Sequence, residues 1–519
     1  MSRGPVHPAV VSPTHPVTVR GSASATAGPA ELDREWTAYS DRSTCADWAG
    51  GDGVSAFRLS SSQLAWFFSD TYLGPAGPAI GFSRISGFVH NSVVIQTMGG
   101  GDSTFVTMTG GGACSRLRGA VSVVGPPAAP GTASDRYWNA AGIEVGGAII
   151  VFYNQYLPGQ VPYIPDGTVI TRFPVSQLSA DDAVAHPAVI ALPSYTPPGG
   201  GTPVVWGAAL LRDRGTVYIY GTQTADLTGG DRLVYVARVA VSRITQFSAW
   251  RFYAGPGQWV AGQPNAVPVQ GSFGVSSDFS VIAAGQRYWL IQSDPLAGSQ
   301  DIDAFPGATP WGPFDPSAKV VLYRDTSIGL NAAHDYRIMY DASAEPALST
   351  GNTLVISYNT NSAGVTSGCV PMSAFTNSVT QPRFISVPMA VFSEGRDPVR
   401  YRVKAGPTDY PRIVQRDPAQ WFDGWIYPSG CPPVPGVTGL RVRTRSGGAV
   451  LSWLDAGLGV RYRVYLLRPG AASFALAATT RASGDTLSGL EPGTYLVQVV
   501  SVNLKQITGP SAEVAFSLP

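Results

Sequence analysis

Two aspartates, Asp52 and Asp70, bracket a stretch in which residue type and spacing together suggest chemistry, GGDGVSAFRLSSSQLAWFFSDTYLG over Gly50 to Gly74. The segment reads as two strands, Val54 to Leu59 and Leu64 to Phe68, joined by the polar turn Ser60-Ser61-Ser62-Gln63. A hairpin centred near Ser61 and Ser62 pairs positions whose numbers sum to about 122 or 123, and 52 and 70 sum to 122. Opposite or diagonal neighbours in a hairpin have Cβ atoms roughly 4.5 to 8 Å apart. Two carboxylates so placed repel, which raises one pKa. An acid held protonated beside one held ionised is what glycoside hydrolysis requires. Taken alone, the stretch also reads as two ordinary turns, Asp52-Gly53 and Asp70-Thr71.

Other residues could join such a site. His90 and Asn91 follow the hairpin and could line the pocket beside Asp70. Later strands begin with polar residues: Asn139 and Glu144, then Ser276, Ser277 and Asp278, then His334 and Asp335. Glu144 sits in the apolar run Gly142-Ile143-Glu144-Val145, where an unpaired carboxylate is costly, so a third acid or a plain surface position are both open. Aromatic rings stack on apolar sugar faces, and Trp48, Tyr72, Trp138 and Trp206 fall near strand starts or the acid-bearing hairpin end, although each also suits core packing. The chain has no Gly-x-Ser-x-Gly elbow and no His-Glu-x-x-His helix. Its Gly99-Gly100-Gly101 and Gly110-Gly111-Gly112 runs lead into no helix. No metal or cofactor is therefore expected.

The elements that must position these residues are strands. With 60 Gly, 43 Pro and only 13% charged residues, the 519-residue chain consists of short apolar runs separated by turn signals. Convincing amphipathic helices are nearly absent, which predicts an all-β chain. A net charge of +1 without a basic patch excludes a nucleic-acid partner. No run is long and apolar enough to span a membrane as a helix. The four cysteines have no metal spacing. Together with the Ser/Thr/Gly/Asn-rich loops they suit an extracellular protein with two disulfides, for instance Cys45–Cys114 and Cys369–Cys431; four cytosolic thiols are the alternative. Residues 1–31 read as a disordered leader with no signal-peptide core, so the export signal is left open.

From residue 32 to 393, strand-rich units recur every 50 to 70 residues. Small or polar residues, a strand, a Gly-containing turn and an aromatic strand repeat five times, which predicts a five-bladed β-propeller, with a two-layer sandwich set as the alternative. Residues 394–435 form a Pro- and aromatic-rich connection expected to pack on the propeller. Residues 436–519 alternate as a seven-stranded sandwich, with Trp453, Tyr462-x-Val464-Tyr465 and Leu490-x-Pro492-Gly493 ahead of Tyr495. This part resembles a fibronectin type III domain.

The opening hairpin, His90-Asn91-Ser92-Val93-Val94, the YIYG run at 218–221 and LVISYNTN at 354–361 resemble a bacterial family of five-bladed propellers. That group was long known only as a domain of unknown function and includes endo-D-arabinanases. The resemblance runs over about Trp36 to Pro388. It implies a glycoside hydrolase cutting a furanose-containing, arabinan-like polysaccharide, with Asp52 and Asp70 as the catalytic carboxylates; a secreted monomer is expected. The chain has Ser69 where the family often has Gly, and Glu345-Pro346 where it often has His-Pro. The competing readings are a non-catalytic carbohydrate-binding propeller and a structural surface protein.

Overall fold

The computed structural model describes residues 12–13, 17–20, 28–77, 85–99, 102–110, 121–125, 136–157, 164–178, 187–224, 232–269, 274–293, 300–330, 336–362, 380–394, 404–405, 436–454, 460–502, 508–509 and 511–519. Contacts divide the chain into two compact units. One is Met1–Asp325, Met339–Thr360 and Thr376–Thr408; the other is Thr326–Ile338, Asn361–Phe375 and Asp409–Pro519. Both are built from antiparallel strands.

The predicted hairpin opens the first sheet of the larger unit. Ser55–Arg58 pairs with Gln63–Phe68, and Ser55 faces Phe67, so the register sum is 122. Ser92–Gly99 and Asp102–Thr109 complete this sheet's core. Beyond the two aspartates the same hairpin continues as Trp48–Gly51 against Thr71–Leu73, joined by Gly87–Val89. A second sheet follows in chain order: Arg136–Val145, Ala148–Tyr156, Pro165–Pro174 and Val189–Ala191. The third runs through Val205–Asp213, Thr216–Thr224 and Arg232–Ala240 to two short edge strands. The fourth is Ser280–Ala284, Arg287–Ser293, Asp301–Gly307 and Val320–Arg324. The fifth includes Tyr336–Ala344, Thr353–Ser362 and Pro382–Pro388.

Side chains on a strand alternate between faces, so a strand buried on both faces reads as an unbroken apolar run. Here each face packs on a different sheet. Ala65 and Phe67 pack with Ile149, Val151 and Tyr153 of the second sheet. Ile150 and Phe152 pack with Val217 and Ile219 of the third. Tyr218 and Tyr220 of the third pack with Val281 and Leu290 of the fourth. Fourth and fifth sheets meet through Ser280 Oγ and Ser343 Oγ, 2.9 Å apart, and Trp289 of the fourth packs on Phe392 of the short helix Ala390–Glu394 that follows Pro382–Pro388. Leu64, Trp66 and Phe68 pack on the remaining side with Val355 and Phe384, so the fifth sheet returns to the first.

That last contact is sealed by Glu345, which is 2% exposed. Its Oε2 accepts the Ala56 N–H at 2.8 Å and its Oε1 accepts the Ser357 hydroxyl at 2.6 Å. The Glu345-Pro346 departure thus lies where the first and fifth sheets join.

Two expectations are corrected. A 13-residue helix, Pro29–Asp41, precedes the first sheet, although no convincing helix was expected. Pro29 opens it, and Leu32, Trp36 and Tyr39, at helical spacing, are all buried against the first and fifth sheets. Within the stretch 1–31, expected to be disordered, Val17–Arg20 pairs with Asp102–Phe105 and Ser12–Pro13 with Met108–Thr109. Cys45 is the one described cysteine, and His334 and nearly all of the 394–435 connection lie outside the described residues.

The smaller unit carries, among its described residues, a three-stranded sheet of Thr438–Arg445, Gly448–Leu454 and Gly484–Ser488. A four-stranded sheet of Ala475–Thr480, Arg461–Leu467, Gly493–Val502 and Ala512–Leu518 accompanies it. Trp453, Tyr462, Val464, Tyr495 and Val497 share one core. The Tyr495 hydroxyl donates to the Glu491 carbonyl at 2.9 Å, the contact of a tyrosine corner.

Candidate active site

The hairpin ladder is interrupted at the two aspartates. The Asp52 N–H donates to the Asp70 carbonyl at 3.1 Å, and the Asp52 carbonyl accepts the Ser69 N–H at 2.7 Å. Two residues on one strand oppose one on the other, the count of a β-bulge, a device that re-aims side chains. Gly53 makes this possible. Its φ is +61°, and a Cβ there would lie 2.4 Å from Ser69 Oγ. Asn139, from the second sheet, clamps the bend: its amide donates to the Gly53 carbonyl while its Oδ1 accepts the Ser69 hydroxyl at 2.8 Å. Ser69, the other departure from the family pattern, is therefore part of the clamp. We expect Gly53→Ala to cost roughly 1–3 kcal/mol from backbone strain and the displaced Ser69, read as a lower unfolding midpoint. An unchanged midpoint would contradict this account of the bend.

The two carboxyls live in different surroundings. Asp70 Oδ1 accepts two donors, Trp138 Nε1–H at 2.7 Å and His90 Nδ1–H at 2.8 Å. Facing a carboxylate oxygen, His90 Nδ1 carries the proton. Asp52 Oδ2 accepts one hydrogen bond, from the Tyr340 hydroxyl at 2.7 Å. Burial pushes Asp52 well above the usual carboxylate range; the nearby charges of Asp70 and Asp341 add to this, and the Tyr340 hydrogen bond opposes it. One acid is thus biased toward its protonated form beside one held by two N–H donors, an arrangement able to donate and accept protons across the same gap.

Further side chains surround the pair. The Trp138 ring lies 4.4 Å from that of Tyr156. Tyr72, Phe88 and His90 form an aromatic run toward Asp70, with centroid spacings of 5.1 and 5.3 Å. Asp278 and Asp341 are both pushed up by burial, Asp341 to about 6, and both feel the charge of Arg232. Ser277 donates to Asp341 Oδ1 at 3.1 Å.

Of the sequence-predicted residues, Asp52, Asp70, His90, Trp138 and Asp278 come together, with Tyr72 beside them. Asn91 is a buried support. Its amide donates to the carbonyls of Val124 and Tyr137 at 2.6 and 2.8 Å, and its Oδ1 accepts the Val124 N–H at 2.8 Å. Asn91 fixes the strand that carries Trp138. We expect Asn91→Ala to destabilise the protein by roughly 2–4 kcal/mol, because three buried backbone groups lose their partner; a denaturant titration unchanged from wild type would refute this.

Three residues are not brought to the site. Glu144 is exposed beside the Gly146-Gly147 turn, at the far end of its strand from Trp138. Trp48 is fully buried against Trp36, Tyr39 and Phe68. Trp206 is packed on Trp250 and Phe252. Trp48 and Trp206 lie at the starts of Trp48–Gly51 and Val205–Asp213 with their rings in the core, whereas Glu144 lies at the end of Arg136–Val145 and not at its start. Sequence reasoning missed Tyr156, Arg232, Tyr340 and Asp341. The available signal was a charge inside an apolar strand, Asp341 in Tyr336–Ala344, where burial demands a reason.

An all-β unit of successive packed sheets, with aspartates gathered from the first, fourth and fifth, defines the class of protein. The chain belongs to the family described as a domain of unknown function (DUF5005), which matches residues 33–402. No curated protein matches by sequence. Among solved structures, a candidate hydrolase from Bacteroides ovatus ATCC 8483 is similar at 19% identity, over 71% of this chain and 92% of that one, with a TM-score of 0.51. This likeness concerns the fold. An enzyme of family GH43_1 from Xanthomonas citri matches at 14% identity, 68% and 92% coverage and a TM-score of 0.35. An alpha-L-arabinanase from Cellvibrio cellulosa matches at 9% identity, 65% and 91% coverage and a TM-score of 0.35.

Proposed function

We propose that this protein is a secreted, monomeric glycoside hydrolase acting on a furanose-containing, arabinan-like polysaccharide. Its five sheets are the blades of a propeller, and the C-terminal sandwich is a fibronectin type III module. The observation that carries the reading is the Asp52–Asp70 pair, opposed across a bulge and held in unlike environments. Asp52 is the general acid. Its proton passes to the glycosidic oxygen as the bond to the anomeric carbon breaks. Asp70, oriented by Trp138 and His90, attacks that carbon or deprotonates the water that does. Tyr72 and Phe88 offer apolar ring faces to a sugar approaching Asp70.

Incubation with a panel of neutral cell-wall and plant polysaccharides, followed by chromatography of the products, tests the reading. Oligosaccharides appearing with at least one furanose-containing glycan are expected. Tight binding of such a glycan with no product would replace the hydrolase with a carbohydrate-binding protein. NMR of the first-formed anomer then distinguishes retention from inversion.

A further inference from the structure

The side chains around the aspartate pair form a circuit. Asp52 faces Asp70; Trp138 bonds Asp70; Tyr156 lies against Trp138; the Tyr156 hydroxyl feels the charges of Asp278 and Asp341; and Tyr340, next to Asp341, bonds Asp52. The far wall of this circuit, Ser277-Asp278 and Tyr340-Asp341, neither donates nor accepts the transferred proton, although Tyr340 and Asp341 act on Asp52. Two independent features set it apart. Asp341 has φ +52° inside a strand, a left-handed conformation that a non-glycine residue adopts at a cost and that clusters where geometry serves a ligand. Asp278 Oδ1 is shielded from solvent and, among the described residues, accepts no hydrogen bond. A shielded acceptor without a donor is a rare arrangement that a ligand hydroxyl would complete.

We propose that Asp278 and Asp341 form the wall that grips the hydroxyls of the sugar next to Asp52, so that the site takes a neutral, hydroxyl-rich sugar and rejects a uronate. The inference rests on the sugar-cleaving reading of the same site. Carboxyl oxygens accept from hydroxyl donors, and a protonated carboxyl also donates, so either state of these acids suits a sugar hydroxyl. The circuit gathers four carboxyl groups, Asp52, Asp70, Asp278 and Asp341, against the cationic Arg232 and the imidazole of His90. These acids already resist charging through burial and through one another, so a sugar carboxylate entering the circuit adds a further negative charge at the same desolvation and repulsion cost. In a partly buried site one uncompensated charge weakens binding by roughly a hundredfold.

The test is a binding comparison that needs no turnover. Asp70→Asn protein is titrated by calorimetry with neutral arabino-oligosaccharides and with oligogalacturonate. The neutral probe is expected to bind at least roughly a hundredfold more tightly. Adding Asp278→Asn or Asp341→Asn, the latter keeping a residue type that tolerates positive φ, is expected to weaken the neutral probe about tenfold and to shrink the discrimination about tenfold. Ser277→Ala, which keeps both acids and removes the donor on Asp341, is expected to weaken the neutral probe about threefold and serves where an Asn variant does not fold. The proposal is overturned if folded variants bind both probes within twofold of the Asp70→Asn parent, if the parent binds oligogalacturonate as well as the neutral probe, or if neither probe binds. Absence of cleavage by the wild type alone would remove the hydrolase reading and leave the binding result standing.

Discussion

Asp52→Asn and Asp70→Asn are each expected to lower glycan cleavage by a factor of roughly a thousand or more while the fold survives, since general acid–base and nucleophilic steps each supply contributions of that order. The two losses differ in kind. Asn at 52 cannot protonate a departing oxygen, so a substrate with an activated aryl leaving group should recover much of the Asp52→Asn loss. The same substrate should recover little for Asp70→Asn, where the group acting on the anomeric carbon is gone. Wild-type cleavage should fall as pH rises through the elevated pKa of Asp52, because the acid form is then depleted. That alkaline limb should disappear in Asp52→Asn assayed on the activated substrate. Thermal unfolding of both variants should stay near wild type. Full activity in either variant, or equal rescue of both, would sink the assignment.

Glu345→Ala is expected to destabilise the protein by roughly 3–5 kcal/mol, whereas Glu345→Gln is expected to be close to neutral at pH 7. Alanine leaves the Ala56 N–H and the Ser357 hydroxyl buried without an acceptor where the first and fifth sheets meet. Glutamine is isosteric and uncharged, and so resembles the protonated acid. Burial raises Glu345 from 4.5 to about 8, against the hydrogen bonds from Ser357 and Ala56. The sign follows from linkage. Between pH 4.5 and 8 the unfolded chain releases this proton and the folded chain keeps it, so stability is lost as pH rises through that window. A shift of this size corresponds to as much as ~5 kcal/mol. Asp33 and Glu35 of the first helix, both pushed by burial to about 7, act in the same direction. Denaturant unfolding at pH 5 and pH 8 should therefore show the wild type more stable at pH 5, with a smaller difference in Glu345→Gln. Greater wild-type stability at pH 8, or a tolerated alanine, would overturn this role for Glu345.

Much of the framework was legible in the residues. The Ser60–Gln63 turn sets the hairpin register, and the sum of 122 found at Ser55 and Phe67 is the one that brings 52 and 70 opposite each other. Apolar runs such as VYIY at 217–220 announced strands buried on both faces, because only a sheet packed on two neighbours spares a strand its polar face. The helix Pro29–Asp41 escaped notice because its buried face also carries Asp33 and Glu35, which blur an apolar stripe.

What the sequence determined by itself was the pair, Asp52 and Asp70, and the strands beneath them, since both depend on neighbours close along the chain. Tertiary structure decided the surroundings of that pair. Asp52 owes its raised pKa to burial and to Asp70 and Asp341, and the two donors on Asp70 are Trp138 and His90. Which aromatics became core and which reached the site was likewise settled by packing between sheets, as Trp48 and Trp206 show. Asp341 was hidden for the same reason: its positive φ and its place beside Ser277 are imposed by contacts some sixty residues apart, which no local pattern encodes.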